Sequence, residues 1–452
     1  MIPRRQFLGT AGLAFLGLQR YLHAAPSSRV IQPNGPLVPD PDKILDLPKG
    51  FSYRIISKRG ERMTDGFKVP GKHDGMAAFP GPDGKVVLVR NHELARVMSG
   101  QGPFENDLEY PRELDPELSH DPGEGGREPH LGGTTNLVFD PESGEKVSEF
   151  LSLTGTDRNC AGGPMPWGSW ITCEEPEEMT VNSRARNHGW CFEVKATAEP
   201  GLQKAVALKK LGRFRHEAVA LDPATGILYL TEDRSDGLLY RFVPDKPKDF
   251  TAGKLQALVI EGKAKADTRN YDPRSSWPKE GEAMKVTWID LEDTHAPKDD
   301  LRFRGFEDGA ARFARGEGIH HTDDGIFICC TDGGPSRRGQ IFQLKPSGDA
   351  DKADTLVLFL QSEENDILTN GDNLCPAPWG DLVVCEDLID PSFAEHSNVQ
   401  CVTPEGKIHT LARNARDKSE FAGSCFSPDG KWLFVNLQSH GLTLAITGPW
   451  PT

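Results

Sequence analysis

The sequence predicts an all-β chain folded as a six-bladed β-propeller, and three observations carry that prediction. A short hairpin recurs along the chain, its register is nearly constant, and its copies are spaced widely enough for blades. The clearest copy spans residues 213–233. It opens on His216-Glu217, continues as the apolar strand Ala218-Val219-Ala220-Leu221, turns at Asp222-Pro-Ala-Thr-Gly226, and returns through Ile227 to Glu232-Asp233. Proline and glycine favour turns, and the flanking β-rich runs read as paired strands. Further copies begin at Met76, Cys160, Glu317, Asp372 and Ala422. From the first polar position to the end of the second strand, the five copies after the first each span 15 residues, and the first spans 17. Starts lie 50 to 100 residues apart, enough for four strands each. A pair of β-sandwiches is the competing fold, and the near-constant register argues against it.

Taken in order, residues 1–25 read as a twin-arginine signal peptide. Arg4-Arg5-Gln6-Phe7-Leu8 precedes a short apolar run and the small pair Ala24-Ala25. The run is too short to span a bilayer, so no stable membrane insertion is expected. This predicts a periplasmic or secreted protein that engages the twin-arginine export machinery and can take up metal before it leaves the cytoplasm. Residues 26–452 form one domain. Residues 26–50 are proline-rich and read as an irregular lead-in, and residues 51–57 alternate as a strand. Insertions at about 94–130 and 245–311 read as loops or lids on one face. Nine cysteines, none before Cys160, leave at least one unpaired, and an oxidising compartment would let others pair. Cys329-Cys330 lie within an apolar strand and read as core.

The formal net charge of −15, without a long basic run, excludes nucleic acid as an expected partner. It also means that an anion site here needs cations to focus it. In a propeller the innermost strands line a channel and their starts converge. Cys160, His216-Glu217, Arg315, Glu317 and Asp372-Asn373 would then meet. Glu93, Glu174-Glu175, Glu232-Asp233, Asp332 and Glu386-Asp387 end the second strands on the same rim. Taken singly, most such acids are solvated rim charges, His216 is a hydrogen-bonded core residue and Cys160 a buried thiol. Taken together, converging carboxylates repel and demand cations. Oxygen donors suit Ca²⁺, Mg²⁺ or Mn²⁺, and a thiolate draws zinc or iron. The sequence has no His-Glu-x-x-His, Cys-x-x-Cys or Walker motif to support an ordinary zinc hydrolase or a nucleotide enzyme.

At these residues the chain resembles the PhoX-type alkaline phosphatases. The matching stretches are Asn91-His-Glu93, Gly132-Gly-Thr-Thr-Asn136, Asn159-Cys-Ala-Gly-Gly through Cys173-Glu-Glu175, His216-Glu-Ala218, Arg315-Gly-Glu317, Gly371-Asp-Asn-Leu374 and Cys385-Glu-Asp387. The resemblance implies a periplasmic propeller phosphatase, a monomer, that hydrolyses small phosphate monoesters with a cluster of Fe³⁺ and Ca²⁺. It implies Cys160, Glu175, Glu217, Glu317 and Asp372 as metal ligands, and Arg315, Asn136 and Asn373 as phosphate-facing groups. Two readings compete: a Ca²⁺-dependent propeller lactonase or phosphodiesterase, and a non-enzymatic binding propeller with a structural metal. Cys160 together with Arg315 favours phosphate chemistry.

Overall fold

The computed structural model describes residues 29–176, 186–275, 277–349 and 352–451. The twin-arginine segment lies outside the described residues. Three strands precede the first hairpin: β1 (Leu37–Val38), β2 (Leu45–Pro48) and β3 (Ser52–Lys58). Six units follow. The first holds β4 (His73–Pro80), β5 (Val86–His92), β6 (Gly132–Asp140) and β7 (Glu145–Thr156). The second holds β8 (Asn159–Met165), β9 (Ser169–Glu174) and β10 (Cys191–Lys195). The third holds β11 (His216–Leu221), β12 (Leu228–Glu232), β13 (Gly237–Pro244) and β14 (Gly253–Ile260). After β15 (Ala283–Asp290), the helix α1 (Leu301–Glu307) and β16 (Arg312–Phe313) comes the fourth, β17 (Gly316–Thr322), β18 (Gly325–Cys330), β19 (Gln340–Lys345) and β20 (Asp354–Gln361). The fifth is β21 (Gly371–Pro376), β22 (Leu382–Glu386), β23 (Asn398–Val402) and β24 (Ile408–Asn414). The sixth is β25 (Phe421–Phe426), β26 (Leu433–Leu437) and β27 (Leu442–Thr447).

Neighbouring strands within each unit pair antiparallel. The units form a ring because apolar side chains fill every seam between them. Val86 and Leu88 of β5 pack toward Phe434 of the sixth unit, whereas Val89 packs toward Trp170 and Phe192 of the second. In β22, Val383 and Cys385 face the sixth unit, and Leu382 and Val384 face the fourth. The same holds between units two and three and between three and four. Alternate side chains of one strand thus enter opposite seams. The inner hairpins therefore read as continuous apolar runs rather than as polar–apolar alternation. All nine cysteines are free, buried thiols. Cys173 and Cys191 sit opposite each other on β9 and β10, with Sγ atoms 3.6 Å apart.

The ring closes when β3, from the start of the domain, becomes the outer strand of the sixth unit by pairing with β27. Two expectations need correction. The lead-in is not wholly irregular, since β2 pairs with β24 and extends the fifth unit. The insertion at 245–311 is only partly loop. β14 and β15 lie within it, and β15 pairs with both β14 and β20, fusing units three and four into one ten-stranded sheet.

Candidate active site

Each inner strand begins with the same local irregularity. His73 pairs with His92, Asn159 with Glu174, His216 with Glu232, Gly316 with Cys330 and Gly371 with Glu386. In each case a register shift follows before pairing resumes. In the sixth unit Phe421 pairs with Leu437 and the shift follows Ala422. A bulge leaves a residue unpaired and re-aims its side chain. One backbone hydrogen bond clips each hairpin at this level: Glu93 N to Lys72 O, Glu175 N to Arg158 O, Asp233 N to Arg215 O, Thr331 N to Arg315 O, Asp387 N to Asn370 O and Gln438 N to Glu420 O.

This repeat places three rings of side chains at the mouth. The bulged position contributes Asp74, Cys160, Glu217, Glu317 and Asp372, and Ala422, which is paired, holds the equivalent place in the sixth unit. The residue before each strand contributes Lys72, Arg158, Arg215, Arg315 and Glu420, with Asn370 in the fifth. The residue after each second strand contributes Glu93, Glu175, Asp233, Asp387 and Gln438, with Thr331 in the fourth. Leaving out Ala422, Asn370 and Thr331, these are the residues that line the polar cavity. Lys72, Arg158, Arg315 and Asn370 have positive φ near 50°, an uncommon conformation for such residues and one that clusters at functional sites. Asn370 is the exception in direction, since its Nδ2 is held by Thr331 O and Arg337 O. Deeper in, the channel is lined by apolar groups such as Met76, Ala161, Ala218 and Leu374, which confines the charge to one end.

The paired acids divide their work. Glu174, Glu232 and Glu386 turn into their own units, where Glu174 accepts from Gly189 N and Trp190 N, Glu232 from Tyr240 Oη, and Glu386 from Thr369 N and Asn398. Their successors Glu175, Asp233 and Asp387 face the mouth. None is the solvated rim charge that composition alone suggests, because all six are buried or nearly so. The near-constant spacing pointed at Glu232 and Asp332 as rim groups. Bulge-to-rim spacings in fact run from 14 to 16 residues, and 19 in the first unit, so Asp233 rather than Glu232, and Thr331 rather than Asp332, hold those places. Asp332 is instead bound by Tyr271 Oη at 2.7 Å and Arg337 at 3.1 Å. His216 also points away from the mouth. Its ring stacks on Phe214, and its Nε2 lies 3.0 Å from Gly212 O.

Nine carboxylates and four basic side chains face this cavity. Ligand atoms of Cys160, Glu175 and Glu217 lie within 4.8 Å of one another, and so do those of Glu217, Glu317 and Asp372. Glu217 belongs to both groups. Burial, together with the neighbouring acids, raises Glu217, Glu317 and Glu175 well above the ordinary carboxylate range and pushes Asp372 up to about 8. Burial and the acids Glu217 and Glu175 likewise hold the Cys160 thiol protonated, with its Sγ 3.4 Å from His216 O. Such a set is electrostatically incomplete without cations. Buried carboxylates and one thiol in overlapping groups are a donor set that fits metal ions.

The basic side chains are paired but not exhausted. Arg315 Nε and Nη2 hold Asp233 at 2.7 and 3.1 Å, and Nη2 also reaches Glu317 Oε1 at 2.6 Å. Burial alone would raise Asp233, but Arg315 holds it well below the usual range. Arg215 Nε lies 2.6 Å from Glu175, Arg158 contacts Glu93, and Lys72 Nζ donates to Gln438 at 2.6 Å.

Six of the eight residues expected at the site therefore meet: Cys160, Glu175, Glu217, Glu317, Asp372 and Arg315. The two asparagines do not face the mouth. Asn136 sits in mid-β6, two strands away from the channel, where its Nδ2 donates to Lys195 O and Thr197 O. Asn373 faces the apolar half of the channel, where Nδ2 donates to Asp372 Oδ1 at 3.0 Å and Oδ1 accepts from Gly423 N. Both of its polar atoms are thus engaged within the protein. Asp74, Lys72, Arg158, Arg215, Glu420 and Gln438 were not anticipated. Starting the first unit at Met76 stepped over Asp74, and the residues just before the strands were legible only at Arg315.

A β-propeller whose mouth gathers buried carboxylates, a thiol and an arginine fork has the make-up of a metal-dependent enzyme that takes an anionic substrate. The profile of the alkaline phosphatase PhoX family matches residues 32–117 and 132–441, and the chain belongs to that family. No curated protein matches it at a significant level. Among solved structures, PhoX of Pseudomonas fluorescens in complex with vanadate is similar over 94% of this chain and 97% of that one, at 17% identity and a TM-score of 0.67. A gluconolactonase from Xanthomonas campestris (93% and 99% covered, 10% identity, TM-score 0.40) and a Trichoderma reesei carbohydrate-active enzyme of family AA12 (90% and 98%, 10%, 0.34) are more distant.

Proposed function

We propose that Cys160, Glu175, Glu217, Glu317 and Asp372 would hold at least two metal ions at the mouth, with Glu217 common to both ligand groups, and that phosphate monoesters are hydrolysed there. The observation that carries this reading is the shared carboxylate. On one side it meets the thiol Cys160 with Glu175, and on the other the all-oxygen pair Glu317 and Asp372. The first set suits iron and the second calcium. When bound, such ions neutralise phosphoryl oxygens and acidify a water. The protein supplies the rest. Arg315 presents Nη1, which has no hydrogen-bond partner among the described residues, while Asp233 fixes the guanidinium plane. Arg158, Arg215 and Lys72 offset the net negative charge of the chain for an anionic substrate. A lactonase would not need this cationic ring. Vanadate, described as a transition-state analogue in the Pseudomonas protein, is the natural probe. The Arg4-Arg5 signal supports a periplasmic or secreted location by the twin-arginine route, and among the described residues no helix is long and apolar enough to cross a membrane.

The test is elemental analysis of the purified protein beside a phosphomonoester assay with and without vanadate. Calcium with a transition metal, activity inhibited by vanadate, and joint loss of the transition metal and activity in Cys160→Ser are expected. Phosphatase activity in protein that contains no metal would overturn the reading.

A further inference from the structure

A second group of metal-type ligands lies behind the wall of the mouth, where the insertion returns to the second unit. Residues 118–131 fall between the two segments that match the family profile, and they carry Asp121 and His130. This stretch is fastened to the end of β7 by His120 N to Thr154 O and Asp121 N to Gly155 O. Gly155, at φ 81°, is needed there because a Cβ would strike Ser119 and the Asp121 amide. The fastening brings Asp121 and His130 against His188, just before β10.

The His130 and His188 rings stack with centroids 4.0 Å apart. His188 Nε2 lies 3.7 Å from Asp121 Oδ2, and His130 Nδ1 lies 3.7 Å from Asp157 Oδ1. Ligand atoms of Asp121, His130 and His188 all fall within 4.8 Å of one another. Among the described residues, three buried polar atoms here, His188 Nε2, His130 Nδ1 and Asp157 Oδ1, have no hydrogen-bond partner. His188 itself is only 7% exposed. Unsatisfied buried polar atoms are rare, and several at one point call for a missing partner.

Glu174 explains which nitrogen is free. It accepts from His188 Nδ1 at 2.7 Å, and its remaining acceptor capacity is taken by Asp157 N, Gly189 N and Trp190 N. A carboxylate on Nδ1 orients the ring so that Nε2 points at Asp121, the arrangement that supports metal-ligating histidines. His120 is not part of the set, because its Nε2 is engaged by Asn187 O at 3.1 Å.

We propose that Asp121, His130 and His188, with Asp157 facing them, bind one divalent transition cation of the zinc class that pins residues 118–131 to the second unit. Two imidazoles with carboxylate oxygens are ordinary zinc donors, and they differ in kind from the thiol and acids of the mouth. Arg158 and Glu175 follow Asp157 and Glu174 directly in the chain, so the clamp braces one side of the cavity.

The test compares wild type, Cys160→Ser and His130→Gln, each as full mature protein dialysed against zinc and then buffer. Wild type and Cys160→Ser should each retain about one zinc per chain that His130→Gln lacks, and zinc should raise the melting temperature of wild type but not of His130→Gln. If His130→Gln does not fold, Asp121→Asn serves the same comparison, since the amide oxygen still accepts from Gly123 N. Cobalt in place of zinc should give the visible absorption of a tetrahedral site in wild type and in Cys160→Ser but not in His130→Gln. No retained zinc in wild type, leaving a protonated His188 between Glu174 and Asp121, would overturn the proposal, as would undiminished zinc in the folded variant.

Discussion

Arg315 shows what one residue at the mouth can reveal. Its left-handed backbone, φ 52°, places the side chain beside Glu317 and Asp233. Expected where the inner strands start, Arg315 in fact precedes β17, so the turn rather than the pleat aims it. Lysine keeps the charge but loses the planar fork on Asp233. Arg315→Lys should lower kcat by roughly 10²-fold, the scale of removing one electrostatic stabiliser of a transition state, while metal content stays at the wild-type level. An unchanged kcat would remove Arg315 from the chemistry and leave it as an ion-pair residue. Residues that share its structural position, Lys72, Arg158 and Arg215, were hidden because a basic residue before a strand carries no signal by itself. They become visible once the six hairpins are aligned on their bulges.

At the scale of the element, the hairpin was legible because both strands are buried on both faces and the turns carry proline and glycine. Its bulge was not, since a bulge shifts pairing without changing composition, and the drift in hairpin length follows from differing turns. β15 was missed for a different reason. Met284 and Val286 alternate inward, but Lys285 and Asp290 give the stretch the composition of a loop. The seams between hairpins hold the ligands in place. Asn91 Nδ2 donates to Cys160 O at 3.0 Å, Thr231 Oγ1 to Glu317 O at 2.6 Å, and Asn436 Nδ2 to Asp74 O at 2.6 Å. Units one, three and six thus each fix the bulged residue of the unit that follows. Thr231→Val preserves volume and leaves Glu317 O without this donor. Leaving a buried acceptor unpaired costs about 1–3 kcal/mol, and the shift at Glu317 should reduce metal content and kcat together. Loss of stability with metal and rate intact would show that the seam does not position the ligand.

The whole molecule concentrates repulsion at one end of its channel, and that makes its stability depend on what fills the mouth. The six-unit ring could be read from repetition, whereas the identity of the ions could not, because spacing specifies donors and not the metal that selects them. In the metal-free protein, burial and mutual repulsion raise Asp74, Glu217, Glu317, Asp372 and Glu420 above their ordinary values. A carboxylate whose folded pKa exceeds its unfolded value makes the folded state bind more protons. Its contribution to stability is full below about pH 4 and is lost as pH rises toward the folded value, about 8 for Asp372. Bound cations replace those protons and remove the dependence, since metal binding and carboxylate ionisation are coupled. Chelator-treated protein should therefore melt progressively lower from pH 5 to pH 8, by on the order of 10 °C, while metal-loaded protein holds its melting temperature over the same range. Restoring the proposed calcium and iron at pH 8 should recover the loss. Equal melting temperatures at pH 5 and pH 8 after chelation would mean that Arg158, Arg215, Arg315 and Lys72 balance the mouth without metal, and the cluster would then have no part in holding the ring together.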